Sequence, residues 1–350
     1  MVTLVLLFFL FFIIYCLSLI EERIVKYKYV LYLAVGIIFI ILAGTRPVGF
    51  DNDSEHYEIY YNNYSASYVA EYVETSFLVL SSIFNSITSD VHIIFFFYAI
   101  LGISLKMHAI KKLSPIWFTP LLIYFGNYYV LHDLTQIRAG IVSGLFLCSI
   151  PLIAEGKRLK AALIILFGSI FHASALALLP AVFVSNKDMD KKWRIIWGCL
   201  LPLGYIIYFF GGSHLGDIPI PYIGDKLASY QNLRDKGIIG SNINVFNAVF
   251  LVKCFAYIYL LVFYDTVRKF NKYFPILIRL MGISIILFLS LAFMPVLAFR
   301  ISELYGIVEI IVLSCIYYTI NPTVLGKSVV AIIGMVTFLI NAFYADFLHP

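Results

Sequence analysis

An arginine and a short run of acidic residues stand where the second apolar segment of the chain ends. Arg46 opens the stretch R-P-V-G-F-D-N-D, which contains the carboxylates Asp51 and Asp53. Pro47 and Gly49 predict a turn that folds these groups back towards one another. Two interpretations follow. The arginine and an aspartate form a local ion pair that stiffens a loop, or the arginine binds a phosphate while the neighbouring carboxylate binds sugar hydroxyls.

Two further arginines stand at the boundaries of apolar segments. Arg138 opens the segment 137–154, and Arg300 follows the segment 274–298. Guanidinium groups stay charged and bind phosphate in a bidentate manner. A cation at the edge of hydrocarbon needs an anion or a wet cavity. Together with Arg46, these residues predict a site for a lipid-borne phosphate or pyrophosphate.

Each of the two later arginines also has a nearby acid that could neutralise it. Asp133 lies five residues before Arg138, although it is also the expected partner of its neighbour His132. Glu303 lies three residues after Arg300, a spacing that allows a pair on one helix face. The structural alternative for both arginines is therefore a local salt bridge.

The composition places these residues in a membrane protein. Of 350 residues, 62% are hydrophobic and 13% are charged, too few charges to cover a water-soluble domain. The first twenty residues lack a basic start and a cleavage site, which favours a retained helix over a signal peptide. The cysteines fall singly inside apolar segments and are expected to be core residues, not a disulfide framework or a metal site.

Basic residues predict the orientation of the chain in the membrane. Cytoplasmic connections retain Lys and Arg, and such residues cluster at 23–28, 106–112, 157–160 and 187–194. The opposite face is net acidic. The arginines at the apolar boundaries lie on that outer face, against the general distribution of charge.

The stretch 161–184 is flanked by basic residues on both sides. A single crossing would place one of these clusters outside, whereas two half-helices that meet near His172 keep both inside. We therefore predict a broken, re-entrant pair with His172 at its apex. The predicted fold is an all-α polytopic membrane protein, a single integral membrane domain over residues 1–350, with about eleven or twelve segments and an outward-facing cavity.

Two outer loops are long enough to roof this cavity: residues 45–89 and 212–242. A helical stripe of tyrosines runs through the first of them. Its members are Tyr57, Tyr60, Tyr61, Tyr64 and Tyr68. The stripe predicts an amphipathic helix in the headgroup layer, and a sugar-stacking wall is the alternative.

Titratable residues on the outer face are candidates for proton transfer. His172 can accept a proton near neutral pH and has no acid within four residues, so it is the preferred general base or acceptor-positioning residue. Asp51 and Asp53 are its rivals. Lys253 and Glu309 are expected to form a buried structural pair. No metal site is predicted, because the acidic run lacks the later glycine and glutamate of a calcium loop.

These segments together resemble the EpsG-like branch of the Wzy polymerases, which extend O-antigen and exopolysaccharide chains. The resemblance covers residues from about 40 to 310 and rests on motifs in the same order. They are Arg46 with Gly49, Asp51 or Asp53 and Tyr57; Gln136-x-Arg138; Phe171-His172-x-Ser174; and Arg300 with Tyr305.

The resemblance implies a glycosyltransferase of the bacterial plasma membrane whose active site faces the periplasm. It implies transfer of a growing glycan from polyprenyl (undecaprenyl) pyrophosphate to a repeat unit on the same lipid, as in lipopolysaccharide or exopolysaccharide biosynthesis. Tyr57, Glu303 and Tyr305 would contact the glycan. No cofactor, metal, nucleotide sugar or nucleic acid is expected, and the partners would be the lipid bilayer, a chain-length regulator and a flippase.

Other membrane activities remain as alternatives. A glycan ligase of the O-antigen type shares the chemistry and differs in its acceptor. A membrane acyltransferase would need a histidine reachable from inside, where only His108 stands. A glycolipid flippase should show repeats between the two halves of the chain, and none is found in this sequence.

Overall fold

The computed structural model describes residues 2–215 and 243–349, which are almost entirely helical. The α-helices are α1 Val2–Ile20, α2 Lys28–Gly44, α3 Ser54–Asn62, α4 Thr75–Asn85, α5 His92–Leu113, α6 Phe118–Tyr124, α7 Ile137–Ala154, α8 Arg158–Gly168, α9 Lys191–Gly198, α10 Leu200–Leu215, α11 Ala248–Val262, α12 Tyr264–Phe270, α13 Phe274–Ser290, α14 Pro295–Gly306, α15 Glu309–Val312 and α16 Thr323–Leu339. Shorter 3-10 or π-helical segments are Ser67–Glu71, Phe125–Thr135, Ala173–Phe183, Leu313–Thr319 and Ile340–Tyr344. The predicted all-α fold is confirmed.

Several helices are long and apolar enough to cross a bilayer. The five that have at least 18 residues are Val2–Ile20, His92–Leu113, Ile137–Ala154, Lys191–Phe210 and Thr323–Tyr344. Helices α2 and α13 have 17 residues each, near the lower limit for a spanning helix. Outward-facing residues such as Phe9, Phe12 and Phe255 are exposed, as lipid-facing side chains are. The chain is therefore a multi-pass membrane protein.

Helices α5 and α7 run parallel and in close contact through glycines. A side chain added to Gly102 would meet the backbone of Gly140 at 3.4 Å, and one added to Gly144 would meet Leu105 at 2.8 Å. Small residues permit such an approach between membrane helices. Gly102 lies about 15 Å into α5 but Gly140 only about 5 Å into α7. The start of α7 is therefore recessed by about 10 Å relative to the start of α5.

A buried ion pair fixes this register. The Lys106 Nζ donates to Asp133 Oδ1 at 2.9 Å and to the Gly140 carbonyl at 2.7 Å, and the Tyr124 hydroxyl donates to Asp133 Oδ2 at 2.7 Å. Both charged side chains are almost completely buried. Asp133 therefore belongs to Lys106 and not to Arg138, and Lys106 is a core residue and not part of a cytoplasmic cluster.

Residues 158–183 form a hairpin, as the predicted broken pair requires. Helix α8 and the 3-10 segment Ala173–Phe183 have eleven residues each, so neither alone spans a bilayer. Their far ends meet, since the Arg158 guanidinium lies 5.5 Å from the Phe183 ring centroid. His172 stands at the apex in an extended conformation. Both flanking connections consequently lie at the same end of the bundle.

Three predicted segments have different boundaries in the structure. The segment 243–264 continues into α12 after a bend of 81° between α11 and α12. The segments 274–298 and 303–320 become α13, α14 and a short helical stretch from Glu309 to Thr319. Pro295 starts α14, because proline favours the first turn of a helix and lacks the N–H needed in its interior.

The first long outer loop is mostly helical and contributes a second hydrophobic core. Tyr57, Tyr61, Phe77 and Phe95 belong to a cluster of buried side chains that also includes Phe171 at the hairpin apex. The loop segment 54–85 therefore packs against the bundle and lines the recess above the start of α7.

The predicted tyrosine stripe does not form one helix. Helix α3 ends at Asn62 and is followed by a turn, and Tyr68 belongs to a separate 3-10 segment. Tyr57 and Tyr61 are buried in the second core, and Tyr68 is exposed. The second predicted outer loop, residues 212–242, lies almost wholly outside the described residues.

The hairpin predicts which side of the membrane the connection after it occupies. In a variant without the native cysteines, Lys187→Cys should resist a membrane-impermeant maleimide on intact cells, because the hairpin returns the chain to the basic side. The same cysteine should react after permeabilisation. Ser65→Cys, in an exposed position of the first outer loop, is the positive control. Labelling of Lys187→Cys in intact cells would show that residues 161–184 cross once.

Candidate functional site

The turn after α2 is organised by the Arg46 guanidinium. Its Nε donates to Asp51 Oδ2 at 2.8 Å and its Nη1 donates to the Ala43 carbonyl at 2.6 Å. The guanidinium also lies 3.9 Å from the Phe95 ring centroid. Arg46 is completely buried, and only its Nη2 has no partner among the described residues. The turn therefore has the ion pair that one interpretation of the sequence predicts.

The same turn presents Asp53 at the start of α3. Asp51 Oδ1 accepts from the backbone N–H groups of Asp53 and Ser54, both at 3.1 Å, so its carboxylate is fully engaged. Burial and the charge of Asp51 raise the pKa of Asp53, while the charges of Arg138 and Arg300 lower it. Asp53 is half-buried and is the carboxylate that both arginines influence.

The chain's last residues close the turn from the other side. Leu348 pairs with Asp51 in an isolated β-bridge. The His349 backbone N–H donates to the Phe50 carbonyl at 2.8 Å, and its ring lies 2.6 Å from Asn52 Oδ1. The turn is thus held between α2 and the residues that follow α16.

Arg138 lies in the recess at the start of α7. Its Nη1 binds Glu74 Oε2 and donates to the Tyr72 carbonyl at 3.3 Å. Its guanidinium lies 5.8 Å from the Tyr57 ring centroid, and its buried Nε has no partner among the described residues. Burial raises the pKa of Tyr57 to about 12 despite the charge of Arg138, so the phenol is neutral.

Glu74 connects Arg138 to the hairpin apex. Its Oε1 binds His172 Nδ1 and accepts from the Ala173 N–H at 3.2 Å. Burial raises the pKa of Glu74, but the hydrogen bond from His172 and the charges of Arg138 and His172 outweigh it and lower that pKa to about 2. The carboxylate is therefore ionised and shared between two predicted site residues.

No motif in the sequence marks Glu74 as a site residue. Its partner His172 lies 98 residues away, and Glu74 shares its loop with Glu55, Glu58 and Glu71. Its one distinctive feature is that it immediately precedes helix α4. That position alone predicts a helix N-terminus and says nothing about histidine.

Of the predicted site residues on α14, Arg300 is at the surface, whereas the Glu303 carboxylate and Tyr305 are buried. Arg300 is exposed and makes no ion pair in the part of the chain that the structure describes; the predicted pair with Glu303 is absent there. Glu303 Oε2 is buried without a hydrogen-bond partner among these residues. Tyr305 is buried, and its hydroxyl donates to the Ala177 carbonyl at 3.0 Å, so it anchors the second half of the hairpin.

Two other predicted pairings are settled by the structure. Lys253 Nζ lies 2.5 Å from Glu309 Oε1 and also donates to the Ser284 hydroxyl at 2.8 Å, which confirms the expected buried pair. His132 does not pair with its neighbour Asp133; its Nδ1 lies 3.0 Å from the Ser143 hydroxyl, because Asp133 is committed to Lys106.

The structure therefore brings together residues from four distant parts of the chain. Asp53, Tyr57, Glu74, Arg138 and His172 surround one recess, and the charge of Arg300 acts on it through Asp53. Within residues 2–215 and 243–349, no group of three or more His, Cys, Asp or Glu side chains could hold a metal ion.

The fold and the site define a multi-pass, all-helical membrane protein with a charged recess at one end of its bundle. The sequence profile of the EpsG family matches residues 29–348, and the chain belongs to that family. The amylovoran biosynthesis protein AmsC of Erwinia amylovora is 24% identical over 216 residues, which cover 56% of this chain and 55% of the relative. The chain thus spans about half the length of this curated relative. No solved structure matches the chain.

The buried ion pair of the turn makes a prediction about stability. Arg46→Ala leaves the Asp51 carboxylate buried without its cation, and Asp51→Asn leaves the guanidinium without its anion. Each change should destabilise the protein by about 3–5 kcal/mol, seen as a lower midpoint in thermal unfolding followed by size-exclusion chromatography. Glu155→Gln, which removes the exposed partner of Lys157, should leave the midpoint unchanged. Wild-type midpoints for both turn variants would contradict the structural role of the pair.

Proposed function

We propose that the protein is a polysaccharide polymerase that acts at the outer face of the plasma membrane. It transfers a growing glycan from polyprenyl pyrophosphate to a repeat unit carried by the same kind of lipid. The observation that carries the proposal is the meeting of Arg138, Glu74, His172 and Asp53 in one recess at the non-basic end of a membrane bundle. Membership of the EpsG family and the similarity to an amylovoran biosynthesis protein support it.

The leaving group of this reaction is a diphosphate anion, which must be held and neutralised. Arg138 and Arg300 are the proposed ligands, because Arg138 lines the recess and Arg300 is exposed and close enough for its charge to act on Asp53. Their permanent charge and planar donors suit phosphate oxygens. Arg46 is fully buried and bonded to Asp51, so we propose that it supports the turn that carries Asp53; its Nη2 has no partner among the described residues.

His172 is the proposed general base. Its Nδ1 is engaged by Glu74, and the Nε2 makes no hydrogen bond within the described residues. With the Nδ1 proton directed at the carboxylate, Nε2 carries the lone pair that can accept a proton. Its side chain is 18% exposed, so a bound substrate can reach it.

The proposed transfer proceeds as one displacement. The acceptor hydroxyl gives its proton to His172 Nε2 while its oxygen forms a bond to the anomeric carbon of the donor. The bond from that carbon to the pyrophosphate oxygen breaks, and the electron pair leaves with the pyrophosphate, which Arg138 and Arg300 hold. This chemistry uses neither a metal nor a nucleotide sugar.

The glycan itself is proposed to contact the walls of the recess. Asp53 is partly exposed and can accept hydrogen bonds from sugar hydroxyls, and Glu303 can do so once its buried Oε2 becomes accessible. Tyr57 supplies an apolar face beneath Arg138. Tyr305 acts through the hairpin that it anchors. A chain-length regulator and a flippase are the proposed partners, since repeat units must arrive outside and product length must be set.

Loss of the arginines should stop polymerisation. In a strain that lacks the protein, the wild type should restore long surface polysaccharide, whereas Arg138→Ala and Arg300→Ala should leave single repeat units on the lipid, because the leaving pyrophosphate is no longer neutralised. Arg23→Ala, at an exposed position of the basic end, is the matched control. Electrophoresis of the glycans measures chain length.

The same strain separates the polymerase from its rivals. Accumulated single repeats mean that polymerisation was lost, whereas polymer that is made but not attached to its final carrier would indicate a ligase. Complete absence of external glycan would indicate a flippase. Normal chain lengths from both arginine variants would overturn the proposal.

His172→Gln tests the proposed base. Glutamine keeps a hydrogen-bonding group of similar reach but cannot take up a proton, so the rate of chain extension should fall by about 10²- to 10⁴-fold. Asp53→Asn is compared in parallel. A His172→Gln protein that extends chains at the wild-type rate, beside an inactive Asp53→Asn protein, would transfer the role of base to Asp53.

A further inference from the structure

Glu74 stands between the two groups that the proposed reaction needs most. One carboxylate oxygen binds the His172 ring and the Ala173 N–H, and the other binds the Arg138 guanidinium. The side chains of Glu74, His172 and Arg138 are only 16–19% exposed. The Glu74 carboxylate is therefore shielded from water on most sides, and each of its oxygens accepts at least one hydrogen bond.

We propose that Glu74 is a positioning residue that fixes the ring orientation and tautomer of His172 and ties that ring to Arg138. This inference rests on the proposed polymerase function. Glu74 touches neither the reacting oxygen nor the anomeric carbon; it acts through His172.

The geometry gives a physical reason for this role. A carboxylate at Nδ1 requires a proton there, which leaves the lone pair on Nε2. When Nε2 takes the proton of the acceptor, the resulting imidazolium faces an anion at hydrogen-bond distance, which favours the charged ring. The orienting acid beside a histidine base is a general arrangement in catalysis by nucleophile and base pairs.

The surroundings of His172 decide how strongly Glu74 acts. Three charged or titratable groups face the ring: Glu74 from the N-terminus of α4, Arg138 from α7, and His132 from the π-helical segment. Arg138 keeps Glu74 ionised, since its charge contributes to the lowered pKa of that carboxyl. Glu74 is the only anion of the three, so its removal leaves the His172 ring near the Arg138 charge without an anion to offset it.

The position of Glu74 is fixed by the fold and does not depend on its two partners alone. The Ser76 hydroxyl donates to the Ile170 carbonyl, which links the start of α4 directly to the hairpin apex. Phe77 and Phe171 belong to the same buried cluster. Removing the charge of Glu74 therefore leaves the apex in place, so a rate effect can be separated from a loss of structure.

The experiment uses purified full-length protein in lipid vesicles. Its probe is the lipid-linked single repeat unit extracted from the membranes of a strain that lacks the protein. Rates of chain extension are measured across about pH 5.5–8.5, the range in which histidine titrates. Each variant is first checked for a single sharp peak in size-exclusion chromatography.

Glu74→Gln should slow extension by about 10- to 100-fold, the effect of one hydrogen bond to a charged group. The decline of its rate on the acid side should move to lower pH, because an imidazolium without its anion releases the proton more readily. Glu74→Asp keeps the charge. It should recover part of the rate of extension, and its rate should decline at low pH where that of the wild type does. Glu71→Gln, an exposed glutamate three residues earlier, should behave as the wild type.

A double variant shows whether Glu74 acts through His172. Glu74→Gln combined with His172→Gln should be no slower than His172→Gln alone, since the effects of coupled residues do not add. Independent, multiplied losses would overturn the inference.

Three further results would overturn it. The first is a wild-type rate of chain extension for Glu74→Gln. The second is a lower rate for Glu74→Gln whose decline at low pH falls at the same pH as in the wild type. The third is a rate for Glu74→Asp that is no higher than that of Glu74→Gln. In all three cases chain extension by the wild type still supports the polymerase. Absence of extension by the wild type would instead remove the proposed function itself.

Discussion

The close parallel packing of α5 against α7 is the constraint on which the rest of the structure depends. Glycines allow the two backbones to touch. Lys106 of α5 fixes their register, because it bonds both the Gly140 carbonyl of α7 and the Asp133 carboxylate just before α7, and neither charge can be left alone in an apolar interior. This register sets the start of α7, and with it Arg138, about 10 Å below the start of α5. A recess within the bundle results, and the loop segment 54–85 and the hairpin apex line it.

The recess explains why residues from distant segments meet. Glu74 and Tyr57 enter from the loop, His172 from the hairpin and Arg138 from α7, and each is held by apolar neighbours in a common second core. A carboxylate between a guanidinium and an imidazole is favourable there, because the charge of Arg138 and the hydrogen bond from the His172 ring offset the desolvation of the anion. The charges are thus held in place before a substrate arrives, which lowers the cost of ordering them.

The sequence predicted the fold class, the hairpin over 161–184 and the Lys253–Glu309 pair, because these follow from hydropathy, charge distribution and helical spacing. Pro47 and Gly49 also predicted a turn that brings Asp51 and Asp53 back towards Arg46, and the structure shows that Asp51 is the partner. Glu74 could not be found in this way, because its partners are distant in sequence and its neighbours look alike. Lys106 was misplaced for a related reason: a lysine near a helix end resembles a boundary residue until its buried partner is known.

The proposed reaction transfers a glycan from one lipid pyrophosphate to another. The most direct measurement is the number of polyprenyl pyrophosphate molecules released for each repeat unit added by the purified protein in vesicles that contain only lipid-linked repeat units. Such a transfer should release one polyprenyl pyrophosphate for each repeat unit added, without a nucleotide sugar. Chain growth that requires a nucleotide sugar, or that releases no polyprenyl pyrophosphate, would contradict it.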